Sequence, residues 1–260
     1  MTRTRTRTKT ELGRLRAYQL QHFQRVATRS EPFAHGIAVF TPEHPTKWDV
    51  NLLLVEDATG VSAEALRAEA ERLQAPAGLR HRKIQVLSGG AGLANGFTAA
   101  GWTAETVVVM ALHGADARGD TPHAEVRETA FEAVRPLMEA WYRESMGAAE
   151  ARDLADSDAD SATRSGARYF VCERNGEPAA SCELLGFDRI GQVESVYTAA
   201  THRGHGLASV VVRAAIAAAR ERGDDLVMIM ADADDWPQRL YERLGFATVD
   251  RYLNFTRKPM

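Results

Sequence analysis

The two halves of this chain align with each other without a gap, and this restricts the possible folds more than any other feature. At one constant offset Gly60 meets Gly204, and the segment after Ser62 meets the one after Gly206. Residues 84–86 meet 228–230, Phe97 meets Tyr241, and Gly101-Trp102 meets Gly245-Phe246. Identities are few, and two unrelated α/β units of similar length could align by accident. A glycine–aromatic pair recurring at the same offset favours duplication of one unit. With 260 residues, 45% of them apolar, the chain can bury two modest cores.

Hydrophobic period sets the elements within each unit. Residues 1–10 are basic with no apolar run behind them, so they read as a frayed tail and not a secretory signal. Residues 11–28 place Leu12, Leu15, Tyr18, Leu20 and Phe23 roughly on one helical face. Strands are expected at 36–40, 50–55, 83–87 and 104–112, with a helix capped by Ser62 and a short one through Phe97. The polar, glycine-containing stretch 113–123 reads as the boundary. Residues 124–146 read as one amphipathic helix, and the acidic, serine-rich 148–166 carries no firm assignment. Asn175-Gly176 signals a tight hairpin between strands at 168–173 and 179–185. Counting outward from that turn leaves Cys172 and Cys182 out of register for a bridge, so both read as core thiols in a reducing, cytoplasmic compartment.

Chemistry concentrates after the next strand, 191–198. The loop Thr201-His-Arg-Gly-His-Gly206 opens a long apolar helix. A helix start offers free N–H groups and partial positive charge to a phosphate, and glycine lets the backbone come close. Arg203 adds a fixed cation. A plain strand–turn–helix and a dinucleotide fingerprint are the competing readings. Against the second, Asp224 precedes the next strand, where the fingerprint needs an acid at its end.

Arg203-Gly-His-Gly-Leu-Ala208 resembles the R/Q-x-x-G-x-G/A signature of GNAT acyl-CoA N-acyltransferases. A helix, a strand and then Leu240-Tyr-Glu-Arg-Leu-Gly-Phe246 follow in the order and context that family shows. The likeness covers about 167–258. It implies an α/β (α+β) fold of two tandem GNAT-like units, each a mixed, mostly antiparallel sheet flanked by helices. Residues 11–115 would be a degenerate copy without a cofactor site, and 122–260 the catalytic copy. Acetyl-CoA would be the co-substrate, its pyrophosphate held by Arg203, Gly204, His205, Gly206, Leu207 and Ala208. Backbone groups at Tyr197 and Thr198 would take the pantetheine arm and polarise the thioester. Tyr241 would be the acid for the leaving thiolate. Residues 148–166 would help wall the acceptor site.

The base is less constrained. Glu194, on the face expected to carry Val196 and Thr198, is the candidate, and an ordinary surface glutamate is the alternative. Asp232 and Asp234 are reserves whose commoner role is capping. In the first copy Thr59, Ser62 and Phe97 replace Arg203, Gly206 and Tyr241. The resemblance points to a small-molecule or peptide amine as acceptor. A net charge of −3 argues against a general nucleic-acid binder, and no apolar run reaches membrane-span length. No metal-ligand spacing occurs. A non-catalytic acyl-CoA binder is the rival reading.

Overall fold

The computed structural model describes residues 2–112 and 125–259, with side chains from Thr10 on. The boundary stretch 113–123 lies outside the described residues. The chain divides into two compact units: Met1–Val108 with Asp232–Asp234 and Val249–Met260, and Val109–Ala231 with Asp235–Thr248. No described helix is long and apolar enough to cross a membrane.

In the first unit, helix α1 spans Thr2–Val26 and takes in the basic segment read as a tail. Strands β1 (Arg29–Phe33), β2 (Gly36–Phe40) and β3 (Leu52–Val55) pair antiparallel in turn. Helix α2 (Ala63–Gln74) follows, then β4 (Arg82–Val86), parallel to β3. Parallel neighbours need a crossover, and α2 supplies it. Helix α3 (Leu93–Thr98) and β5 (Thr103–Leu112) come next. The last strand of the chain, β11 (Phe246–Arg257), pairs antiparallel with β4 from Leu253 to Arg257. The first unit therefore finishes its sheet with the C-terminal residues of the chain. Its core gathers Leu53, Val55, Leu66, Ile84, Phe97, Trp102 and Phe255. Phe97 stacks on Phe255 with centroids 3.9 Å apart and meets Trp102 edge-on.

The second unit starts with a correction. Residues 126–129, read as the start of a helix, form strand β6 (Val126–Thr129), and helix α4 begins only at Phe131 (Phe131–Arg143). Apolar spacing in this stretch satisfied the helical period, but the edge of β7 (Arg168–Arg174) offers a ladder that wins. Residues 148–165 are helix α5 (Ala148–Ser165), closed by left-handed Gly166. Ala151, Leu154 and Ala155 make its buried face, a narrow stripe that the acids and serines around it obscured.

Asn175 and Gly176, both at positive φ, make the hairpin turn to β8 (Glu177–Phe187). A bulge at Cys172/Glu173 slips the register by one, so Cys172 faces Ala180 and Cys182 faces Phe170. Both cysteines are free and buried. Strand β9 (Ile190–Thr198) is antiparallel to β8, and β10 (Leu226–Asp232) is parallel to β9 across the crossover helix α6 (Leu207–Glu221). Tyr169, Val171 and Tyr197 pack under α4 and α5. Cys182, on the opposite face by strand alternation, donates its thiol to the Val211 carbonyl of α6 at 3.3 Å. Helices thus cover both faces. Helix α7 (Pro237–Leu244) closes on left-handed Gly245.

Candidate active site

The opening that makes a site begins where two strands part. The β9–β10 ladder ends at Val193–Ile229, yet β9 continues to Thr198 and β10 to Asp232. From Glu194 to Thr198, β9 therefore has no ladder partner on its β10 side. Its β8 side stays paired, but with a bulge: Glu183 faces Glu194 while Ser181 faces Tyr197. Ser195 sits at φ 52, the left-handed conformation that one extra residue requires. The bulge re-aims the strand. Tyr197, and not Val196 or Thr198, ends on the face of Glu194, because an inserted residue reverses the alternation beyond it.

After Thr198 the chain makes a short 3₁₀ turn (Ala200–His202) and reaches the glycine loop. Gly204 and Gly206 take φ 79 and 74. A Cβ on Gly204 would meet no protein atom within 4 Å, so the loop faces open space. Gly206 is the N-cap of α6, and no side chain caps that end. Leu207 is buried while residues 203–206 are exposed, so the free end is anchored by its first apolar residue. Val210, Val211, Val212, Ala215, Ile216, Ala218 and Ala219 bury the rest of α6.

Arg203 is already engaged. It donates from Nε to the Thr198 carbonyl at 3.1 Å and from Nη2 to the Glu144 carboxylate. The Tyr197 hydroxyl donates to the same Glu144 oxygen at 2.9 Å. Trp141 stacks on Tyr197 at 5.7 Å, and the guanidinium lies 5.7 Å from the Tyr197 ring. Glu144, just past α4, has no motif to mark it in sequence. His205 keeps Nδ1 2.9 Å from the Arg203 carbonyl, within its own loop.

Two carboxyls meet across the bulge. Gln192 donates to Glu194, so both project from one face of β9. Glu183, directly opposite Glu194, accepts from the Tyr169 hydroxyl at 3.2 Å and the Ser195 hydroxyl at 3.3 Å. Burial, then the nearby charges of Asp158 and Glu194, push the Glu183 carboxyl up to about 7. No motif marks Glu183 in sequence, since a glutamate alternating with Cys182 and Leu184 looks like the wet side of a strand.

Tyr241 is buried against Phe246 in an edge-on contact. Burial first, then the charge of Glu194, raises its phenol well above the ordinary value. Tyr241 thus lies near enough to Glu194 and to Cys182 to feel their charges. Asp232 and Asp234 fall with the first unit, where Asp232 accepts the Asp234 N–H at 2.9 Å, a turn-capping bond. Asp224 is buried in an ion pair with Arg222 at 2.6 Å, so it cannot serve a ribose. No cluster of metal-binding side chains occurs among the described residues.

Residues 133–246 match the acetyltransferase (GNAT) family. This part of the chain is a GNAT-family domain. No curated protein matches the chain. Among solved structures, a conserved protein of unknown function from Staphylococcus epidermidis superposes with a TM-score of 0.72 at 11% identity, covering 88% of this chain and 93% of its own. A GCN5-related N-acetyltransferase from Kribbella flavida gives 0.64 at 19%, covering 94% of each. A tandem GNAT protein from the clavulanic acid biosynthesis pathway gives 0.53 at 16%, covering 76% of this chain and 70% of its own. At such identities the likeness is one of fold, and the fold is tandem GNAT.

The two GNAT-like units keep the same backbone at their matched glycines. Gly60 and Gly204 have φ 76 and 79, and Gly101 and Gly245 have φ 78 and 101. They differ at the helix start. Ser62 caps α2 with its own hydroxyl, accepting the Ala65 N–H at 3.1 Å, where Gly206 leaves α6 uncapped.

Proposed function

We propose that the second unit transfers an acetyl group from acetyl-CoA to a primary amine of a small molecule or peptide. The observation that carries this reading is the uncapped, glycine-opened start of α6, directly downstream of the stretch where β9 leaves β10. N–H groups at Leu207 and Ala208, reached past Gly204, His205 and Gly206, would take the pyrophosphate, with Arg203 as counter-cation. The pantetheine arm would lie along the open edge of β9 at Tyr197 and Thr198, and an N–H there would polarise the thioester carbonyl. In the first unit Ser62 already satisfies the helix start and Thr59 supplies no cation, so that unit would be a scaffold without cofactor.

Acylation moves two protons. The acceptor arrives as an ammonium; Glu194, directly or through a water, takes one proton so that the nitrogen lone pair can attack. The new C–N bond forms a tetrahedral intermediate, whose collapse breaks the C–S bond. Tyr241 gives its proton to the departing sulfur, and the second proton that the nitrogen sheds on becoming an amide returns through water to the phenolate. The phenol carries its proton at neutral pH, and burial makes it a weaker acid, so the developing charge on the sulfur must draw that proton across.

Thermal unfolding with and without acetyl-CoA tests the reading. A ligand that binds only the native state raises the Tm, and Gly206→Asp places a carboxylate where the pyrophosphate would sit. The rise should appear in the parent chain and vanish in the mutant. An equal rise in both would remove the site.

A further inference from the structure

A cavity in the first unit has no role in the reaction proposed above. The ladder between β4 and β11 stops at Val86–Leu253, where β4 ends while β11 extends back to Phe246. A cavity of about 330 Å³ opens there, lined by Arg16, Ser88, Gly89, Gly90, Asp250 and Arg251 among others, all of the first unit. That volume lies at the small end of ligand pockets. Arg16 spends Nε and Nη2 on one oxygen of Asp250, at 2.9 Å each, which leaves guanidinium donors over. The exposed Arg251 is the second cation. Asp57, behind Gly89, directs Oδ1 to the Thr59 N–H and hydroxyl at 3.0 and 2.7 Å. The charged lining is two arginines against one aspartate, with the exposed Asp57 carboxylate beside Gly89 and within the field of Arg16.

The internal repeat gives this imbalance a direction. Ser88-Gly89-Gly90-Ala91 occupies the positions that Asp232-Ala233-Asp234-Asp235 occupies in the second copy. Three carboxylates are absent, two glycines expose backbone, and the arginines stand nearby. A loop that is acidic at the matched sequence positions is neutral here, beside Arg16 and Arg251. We propose that this cavity binds a small anion, a carboxylate or a phosphate, through Arg251 and the spare donors of Arg16. It does not depend on acyl transfer by the second unit.

Isothermal calorimetry on the full chain carrying Gly206→Asp keeps phosphate off the α6 loop. Inorganic phosphate and citrate are the two probes, and the one that saturates names the anion class. The expected result is one site per chain, weakened about tenfold or more by Arg251→Gln, as the loss of a charge-assisted hydrogen bond requires. Ala91→Phe, at an exposed lining position, should block the same site without touching a charge, which keeps the test independent of any folding defect in the arginine variant. Saturation by neither probe, or equal binding in the parent and both variants, overturns the proposal.

Discussion

Glu183→Gln should stabilise the protein at high pH and leave it unchanged in acid. Unfolded, a glutamate titrates at about 4.5; folded, Glu183 titrates at about 7. The folded chain therefore holds this proton more tightly. That favours folding below pH 4.5, and the advantage is lost as pH rises through 7. The full shift of roughly 2.5 units corresponds to about 3 kcal/mol at about 1.4 kcal/mol per unit. Glu183 is only half-buried, so water screens part of this and about 1–2 kcal/mol should remain. Glutamine keeps an acceptor oxygen for one of the two hydroxyls, can donate its amide N–H to the other, and carries no charge to face Glu194 and Asp158. Denaturant melts of both chains, run from acid to mildly alkaline pH, read the difference directly. The curves should coincide below pH 4.5 and separate through pH 7, with the mutant the more stable above it. A constant gap at every pH would mean that packing, not charge, sets the effect. A mutant less stable at high pH would mean that the ionised carboxyl is well satisfied where it is.

Two further outcomes follow from the site. Glu144→Gln breaks an exposed ion pair that engages Arg203, worth about 0–1 kcal/mol, so acetyl-CoA should bind up to about fivefold tighter at low salt; titration calorimetry measures this, and weaker binding would show that Glu144 holds Arg203 in its working position. Tyr241→Phe keeps the buried ring, so Tm and acetyl-CoA affinity should hold while kcat falls on the order of 10²-fold or more once an acceptor is found; near-normal turnover with a lower Tm would make Tyr241 structural.

Much of this architecture can be read from residue patterns, for identifiable reasons. Strand β2 and helix α6 announce themselves by apolar runs and glycine, and the Asn175-Gly176 turn by its chemistry. Strand β6 does not, because Val126 and Ala130 fit a helix until β7 is there to pair with. The Ser195 bulge is invisible for a different reason. No glycine or proline marks it, and its cost is met by the hydroxyl bond to Glu183 and the β8 ladder, which are tertiary facts. Glu183 and Glu144 stay hidden likewise, since each matters only through a partner distant in sequence. Glycines at fixed φ are local and legible; carboxylates that share a site across strands are not.

On the function proposed above, the two halves differ by few changes at the matched positions. The glycines that shape the backbone, Gly60 and Gly101, keep the same left-handed geometry as Gly204 and Gly245. Three side chains differ instead. Ser62 closes its own helix start, which stabilises α2 by about 1 kcal/mol and spends an N–H that a phosphate would use. Thr59 turns its hydroxyl to Asp57 at 2.7 Å, where the second copy carries a guanidinium. Phe97 drops the phenol oxygen and sinks into the aromatic stack with Phe255, a ring supplied by the end of the chain. Each replacement favours local stability over an open, unsatisfied group. The second copy keeps glycine, arginine and tyrosine, and at α6 it leaves a helix start that no side chain caps, which is the opening the proposed phosphate would use.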